Sequence, residues 1–212
     1  APTSVKWLWP GRIPYGKLSL IVGDPGLGKS FVTLDLTARL TRGLGWPDGG
    51  ISPCHNVIIL SAEDDPADTI RPRIESQQGD PERVWILQGV KNIQGERHVN
   101  LGTDLNVIES LIHSVNASLI IIDPLSAYLG SVDSHKDAEV RSVLAPLSKL
   151  AESSGCAILG VMHLNKSAQY SAIYRASGSI AFVGSARVAF IVVGDPNNPN
   201  DRFLAPLKIN IA

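Results

Sequence analysis

Residues 23–30 read Gly-Asp-Pro-Gly-Leu-Gly-Lys-Ser, which matches the pattern G-x-x-x-x-G-K-[ST] at every fixed position. The apolar run Leu18–Val22 precedes this segment, and a helical pattern over residues 29–42 follows it. Glycines allow backbone N–H groups to turn inward around phosphate oxygens, and the start of a helix adds partial positive charge. The segment therefore predicts a strand, a phosphate-binding loop (P-loop) and a helix.

The motif assigns a role to each of its polar side chains. Lys29 is expected to reach the β- and γ-phosphates of ATP, and the Ser30 hydroxyl is expected to bind Mg²⁺. A glycine-rich turn without any ligand is the alternative. The predicted nucleotide contacts are Gly23, Asp24, Pro25, Gly26, Leu27, Gly28, Lys29, Ser30 and Phe31.

Strand-like runs alternate with helical patterns along most of the chain, which predicts an α/β fold with a mainly parallel sheet flanked by helices. Two final runs predict a C-terminal β-hairpin around residues 195–199. The polar, glycine-containing residues 91–102 are assigned to neither class. The predicted strands are 18–22, 57–61, 84–87, 119–122, 157–162, 188–193 and 203–209, and the predicted longer helices are 29–42, 104–115 and 136–152.

Two of the predicted strands end in carboxylates. Asp123 is expected to hold Mg²⁺, because a P-loop NTPase needs a carboxylate at a strand end. Pro124 follows it where many ATPases carry a catalytic glutamate, so the base must come from elsewhere. Glu63 follows the other strand, and parallel strands end at one edge of a sheet. Glu63 is therefore the predicted base; alternatively, Glu63–Asp65 only cap the next helix.

The composition indicates one globular domain. Of 212 residues, 44% are hydrophobic and 18% are charged, so wholesale disorder is excluded. Lys and Arg number 19 and Asp and Glu 20, a balance that neither indicates nor excludes a nucleic-acid partner. No apolar run approaches the roughly 18–20 residues of a membrane helix. We expect a single cytoplasmic domain over residues 1–212, without a membrane partner, that belongs to a longer protein.

Five segments together resemble the RecA-like ATPases, and most closely the RepA-type hexameric replicative helicases of phages and plasmids. The resemblance covers residues 9–210, nearly the whole chain. The P-loop is generic, whereas the glutamate after the second strand and the His-x-Asn-Lys sequence are more specific. The segments are GDPGLGKS (23–30), LSAEDDPADTIRPRI (60–74), LIIIDPL (119–125), ILGVMHLNK (158–166) and GSIAFVGSARVAF (178–190).

The resemblance implies roles for three residues outside the P-loop. Glu63 corresponds to the catalytic base of the family. His163 corresponds to a residue that senses the γ-phosphate and communicates with the nucleic-acid loop after it. Arg187 resembles the arginine that reaches the nucleotide of a neighbouring subunit. Lys208 and Asn210 lie near the position of a second trans-acting base. Under the alternative, Arg187 and Lys208 are edge-strand charges.

A long segment without acidic residues predicts contact with single-stranded DNA. Residues 153–194 contain no Asp or Glu, and the loop after His163 interleaves two bases with two tyrosines. Bases contact phosphate and aromatic rings stack on nucleobases. A solvated loop is the alternative. The predicted nucleic-acid contacts are Lys166, Tyr170, Tyr174 and Arg175.

The sequence therefore favours an ATP-hydrolysing motor domain that forms a homo-oligomeric ring and acts on DNA, with ATP and Mg²⁺ as its cofactors. Two alternatives stay open. One is a RecA-like recombination or regulatory ATPase that does not unwind DNA. The other is an assembly module that binds ATP without appreciable turnover.

Overall fold

The computed structural model describes residues 4–92, 95–164, 180–198 and 200–211. The α-helices in these ranges are α1 (Lys29–Arg42), α2 (Arg71–Ser76), α3 (Leu105–Val115), α4 (Asp137–Ser154) and α5 (Ile180–Ser185), and a π-helical turn (Pro66–Ile70) that begins after Asp65 directly precedes α2. The strands are β1 (Trp7–Trp9), β2 (Ile13–Pro14), β3 (Leu18–Gly23), β4 (Asn56–Ser61), β5 (Val84–Ile86), β6 (Val90–Asn92), β7 (Gly95–Arg97), β8 (Ala117–Asp123), β9 (Ala157–His163), β10 (Val188–Gly194) and β11 (Arg202–Ile209).

Seven strands of the described ranges form one sheet in the order β11-β10-β3-β9-β8-β4-β5. All neighbours from β10 to β5 are parallel, whereas β11 pairs with β10 in the antiparallel sense. The predicted α/β class, with its mainly parallel sheet and C-terminal antiparallel pair, is confirmed. Along the chain β4 is the next strand of this sheet after β3, yet β9 and β8 lie between them in the sheet.

Apolar side chains cover both faces of the sheet, which explains the nearly continuous apolar runs of its central strands. On one face, Leu20 and Ile120 pack with residues of α3 and α4 such as Ile108 and Leu144. On the other face, strand residues such as Ile59 pack with α1 and α2. Each fully buried aliphatic side chain contributes about 1.5–3 kcal/mol. The two packed faces hold the strand ends in fixed relative positions.

Local residues define several element ends. Gly43 ends α1 in the left-handed region with φ 67°, and the Asp65 carboxylate accepts hydrogen bonds from the N–H groups of Ala67 and Asp68. The sequence analysis missed the hairpins β1–β2 and β6–β7 and the helix α5. These strands have two or three residues and α5 has six, too few for a hydrophobic period to show.

No helix in the described ranges is both long enough and apolar enough to span a bilayer.

Candidate active site

The P-loop leaves β3 at Gly23 and enters α1 at Lys29. Gly26 and Gly28 have φ of 78° and 84°, which side-chain-bearing residues rarely adopt. A Cβ on Gly23 would lie 2.8 Å from the carbonyl oxygen of Val192 on β10, so this position also requires glycine. The first N–H groups of α1 lack partners within the helix and can bind an anion.

The Lys29 side chain is buried against the loop itself. Its ammonium group donates hydrogen bonds of 3.0 Å and 2.9 Å to the carbonyl oxygens of Gly23 and Asp24. Burial lowers the pKa of Lys29, and the carboxylates of Asp123, Glu63 and Asp24 oppose that shift. The ammonium therefore lies inside the loop, where the phosphates of a nucleotide would lie.

The sheet brings four strand ends to the P-loop edge. Gly23 at the end of β3 is in register with His163 at the end of β9, and Ser61 at the end of β4 is in register with Asp123 at the end of β8. The chain after His163 stays beside the loop, because the N–H of Leu164 donates to the Gly23 carbonyl at 3.1 Å.

Asp123 carries the most buried carboxylate of this edge, with 8% of the residue exposed. Burial raises its pKa, the negative charges of Glu63 and Asp64 raise it further, and a hydrogen bond from the Ser30 hydroxyl lowers it. A cation here would offset the crowded negative charge. Carboxylate and hydroxyl oxygens are ligands that Mg²⁺ accepts, so Ser30 and Asp123 fit a magnesium ion.

Glu63 and His163 meet across the same edge. The His163 Nε2 atom lies 3.4 Å from Glu63 Oε1, and 58% of the Glu63 side chain is exposed. A water molecule can therefore reach the carboxylate of Glu63. This arrangement suits a general base whose orientation depends on a neighbouring imidazole.

Arg73 is a residue of this edge that the sequence analysis missed. Its guanidinium donates to the Asp64 carboxylate at 2.9 Å and lies 4.5 Å from the ring centre of Phe31. The Asp64 carboxylate is thus paired with a guanidinium group, whereas the Glu63 carboxylate lies beside the imidazole of His163. The run Arg71-Pro-Arg73 after three acids is the only sequence signal for this pair.

Arg187 lies at the edge of the sheet where the parallel strands begin, opposite the edge where they end and where the P-loop lies. It precedes β10, and its N–H donates to the carbonyl of Leu18 at the start of β3. Val188, the first residue of β10, lies four positions before Val192, the register partner of Gly23, a distance of about 13 Å at 3.3 Å per residue. Arg187 is therefore not part of the P-loop edge of its own chain.

Lys17 and Lys149 line a cleft with Arg187 at this second edge. Lys17 also donates to Glu152 at 3.1 Å. The predicted nucleic-acid contacts Lys166, Tyr170, Tyr174 and Arg175 lie outside the described residues.

Comparison with known proteins identifies the family. Residues 1–169 match the family model described as AAA domain. The DNA repair protein RadA of Halalkalibacterium halodurans is 31% identical over 159 residues, which are 74% of this chain and 30% of that protein. The RadA proteins of Bacillus subtilis and Streptococcus pneumoniae are each 30% identical over 74% of this chain, and the matches cover 30% and 32% of those proteins.

The chain thus spans about a third of the length of these relatives. The family model covers most of the chain, and the P-loop, the parallel sheet and the acidic strand ends agree with it. The chain belongs to the AAA-domain family and has the fold of a RecA-like P-loop ATPase.

Proposed function

We propose that the chain is an ATP-hydrolysing motor domain that acts on DNA, and more specifically a ring-forming replicative helicase domain of the RepA type. The observation that carries the ATPase part is the meeting of Lys29, Asp123, Glu63 and His163 at one edge of the sheet. These side chains come from three strand ends and one helix start. Each has a separate task in ATP hydrolysis.

The proposed chemistry is attack of water on the γ-phosphorus of ATP. Lys29 would leave its loop carbonyls and bind the β- and γ-phosphates. Ser30 and Asp123 would hold Mg²⁺, which when bound would supply positive charge against the phosphates. Glu63 accepts the proton of the attacking water, and ADP leaves as the bond to the γ-phosphorus breaks. His163 orients the Glu63 carboxylate at 3.4 Å.

DNA binding is proposed for the segment between His163 and α5. Lys166 and Arg175 would contact phosphates, and Tyr170 and Tyr174 would stack on bases. The hydrogen bond from Leu164 to Gly23 joins the start of this segment to the P-loop. The similarity to proteins named as DNA repair proteins supports a DNA substrate.

A ring is proposed because the family resemblance assigns Arg187 to the charge that develops on the phosphoryl group in a neighbouring subunit. Arg73 is paired with Asp64, and Arg187 lies at the opposite edge. In a head-to-tail arrangement of subunits, two different surfaces of the chain meet, and that opposite edge would face the P-loop edge of a neighbour. Arg187 would then act in trans, and a hexamer is the ring size that the RepA resemblance implies.

Two other functions fit part of the same observations. The relatives named as DNA repair proteins favour a recombination ATPase that does not unwind duplex DNA. An ATP-gated assembly module would use the P-loop and the trans contact without appreciable turnover.

The test is ATP turnover with and without single-stranded DNA, together with strand displacement and sedimentation in ATP. A helicase domain gives DNA-stimulated turnover, displacement and a ring-sized species. Stimulation without displacement indicates the recombination ATPase instead. Assembly in ATP without turnover indicates the assembly module, and the absence of both ATP binding and turnover refutes the proposal.

A further inference from the structure

The ammonium group of Lys208 donates all three of its hydrogens to carbonyl groups of its own chain. It donates hydrogen bonds to the carbonyl oxygens of Val183, Gly184 and Ala186 at 2.9, 3.0 and 2.7 Å. A lysine ammonium has three hydrogens, so every donor has a partner. To reach a neighbouring subunit, Lys208 would have to break all three bonds.

The three carbonyls belong to the end of α5 and the residue after it. The last carbonyls of a helix have no partner within the helix and carry partial negative charge. Since α5 has only six residues, such carbonyls form a large share of its backbone. Lys208 on β11 donates hydrogen bonds to these carbonyls and so connects the end of α5 to the outermost strand of the sheet.

Arg187 follows these carbonyls directly and is held on both sides. Its N–H donates to the Leu18 carbonyl at 2.9 Å, and its own carbonyl accepts from the Asn210 N–H at 2.9 Å. Lys208 and Asn210 thus come from one stretch of chain and fix the backbone before and at Arg187. The Arg187 residue itself is exposed.

We propose that Lys208 is a positioning residue for Arg187 and not a second trans-acting base. By fastening the end of α5, it fixes the point from which the Arg187 side chain extends toward a neighbour. This inference rests on the proposed role of Arg187 in trans. If it holds, Lys208 does not share that task.

A double-mutant cycle on turnover distinguishes the two roles. Lys208→Met removes the three hydrogen bonds at similar side-chain length, and we expect a loss of about 10- to 100-fold in kcat, because a misplacement near 1 Å can cost about 10²-fold. If Lys208 acts through Arg187, the variant with both Lys208→Met and Arg187→Ala is no slower than Arg187→Ala alone. If the two losses multiply, Lys208 contributes independently and the proposal is wrong. Lys6→Met, which removes an exposed lysine, is the matched control.

Amide hydrogen exchange gives a readout that does not depend on ATPase activity. We expect faster exchange of the Ala186 and Arg187 amides in Lys208→Met than in Lys6→Met, at a temperature where both are folded. Unchanged exchange overturns the proposal. If Lys208→Met does not fold, Lys208→Arg replaces it, and the same non-multiplying cycle is expected. If Arg187→Ala leaves turnover unchanged while the exchange result holds, the trans role of Arg187 fails and Lys208 still fixes the segment.

Discussion

Glu63 Oε1 and His163 Nε2 lie 3.4 Å apart, although strand β8 separates the strands that carry them. The contact forms because β4, β8 and β9 run parallel and end at one edge, with Asp123 at the end of the strand between them. The proposed base, the residue proposed to orient it and the proposed magnesium ligand are thereby held together. The two residues are 100 positions apart in sequence.

Replacing Glu63 should separate nucleotide binding from hydrolysis. Glu63→Gln keeps the shape of the side chain but cannot accept the proton, so ATP should bind while turnover falls by about 10²–10⁴-fold. Equilibrium ATP binding and single-turnover hydrolysis measure the two steps. Asp64→Asn is the matched control, because Asp64 is paired with Arg73 and should lose less. A larger loss in Asp64→Asn than in Glu63→Gln would assign the base to Asp64.

Neutralising Asp123 and neutralising Asp104 should change the stability of the fold in opposite directions. Burial raises the pKa of Asp123, so its ionised form destabilises the fold above that pKa, and the cost disappears as the pH falls toward the unfolded value. The hydrogen bond from Arg97 lowers the pKa of Asp104, so this carboxylate stabilises the fold until the pH falls through its folded pKa.

Without Mg²⁺ at neutral pH, Asp123→Asn should therefore raise the melting temperature and Asp104→Asn should lower it. Each 1 kcal/mol corresponds to about 2–4 °C in a chain of this size. Both differences from the wild-type protein should shrink as the pH is lowered. Added Mg²⁺ with nucleotide should stabilise the wild-type protein more than Asp123→Asn. A lower melting temperature for Asp123→Asn would contradict the assignment.

The nucleic-acid contacts can be tested by a joint replacement. Changing Lys166, Tyr170, Tyr174 and Arg175 to alanine should weaken binding to single-stranded DNA and leave basal ATP turnover largely unchanged. Each lost phosphate contact should lower the slope of log affinity against log salt by about 0.7. A variant with Lys6→Ala and Lys136→Ala, which loses two exposed lysines elsewhere, is the control. Equal affinity and slope in the parent and the joint variant would exclude these residues.

If Arg187 acts on the nucleotide of a neighbouring subunit, two variants that are each inactive should complement one another when mixed. Arg187→Ala should bind ATP normally and hydrolyse it slowly, with a loss of up to about 10³–10⁵-fold if it acts as arginine fingers do in GTPases. Lys29→Ala should lose nucleotide binding or turnover in its own site. Mixed rings place an intact P-loop beside an intact Arg187, so the mixture should recover part of the activity. Mixed rings as inactive as either variant alone would refute the trans assignment.

The amino-acid sequence by itself determined the features that depend on local pattern. The P-loop, the helix that follows it, the buried strands and the Asp65 cap each follow from residues within a few positions of one another. Hydrophobic period, glycine conformation and helix capping act over that range. From these features the α/β class and the placement of Lys29, Asp123 and Glu63 at one edge of the sheet could be predicted, whereas that of Arg73 could not.

Only the tertiary structure decided which distant residues meet. The insertion of β9 and β8 between β3 and β4, the pair of Arg73 with Asp64 and the seating of Lys208 on the end of α5 all join separate elements. Such contacts depend on strand order and on the packing of two apolar faces, which no local period encodes. For this reason Lys208 resembled a trans-acting base in the sequence and is bound within its own chain in the fold.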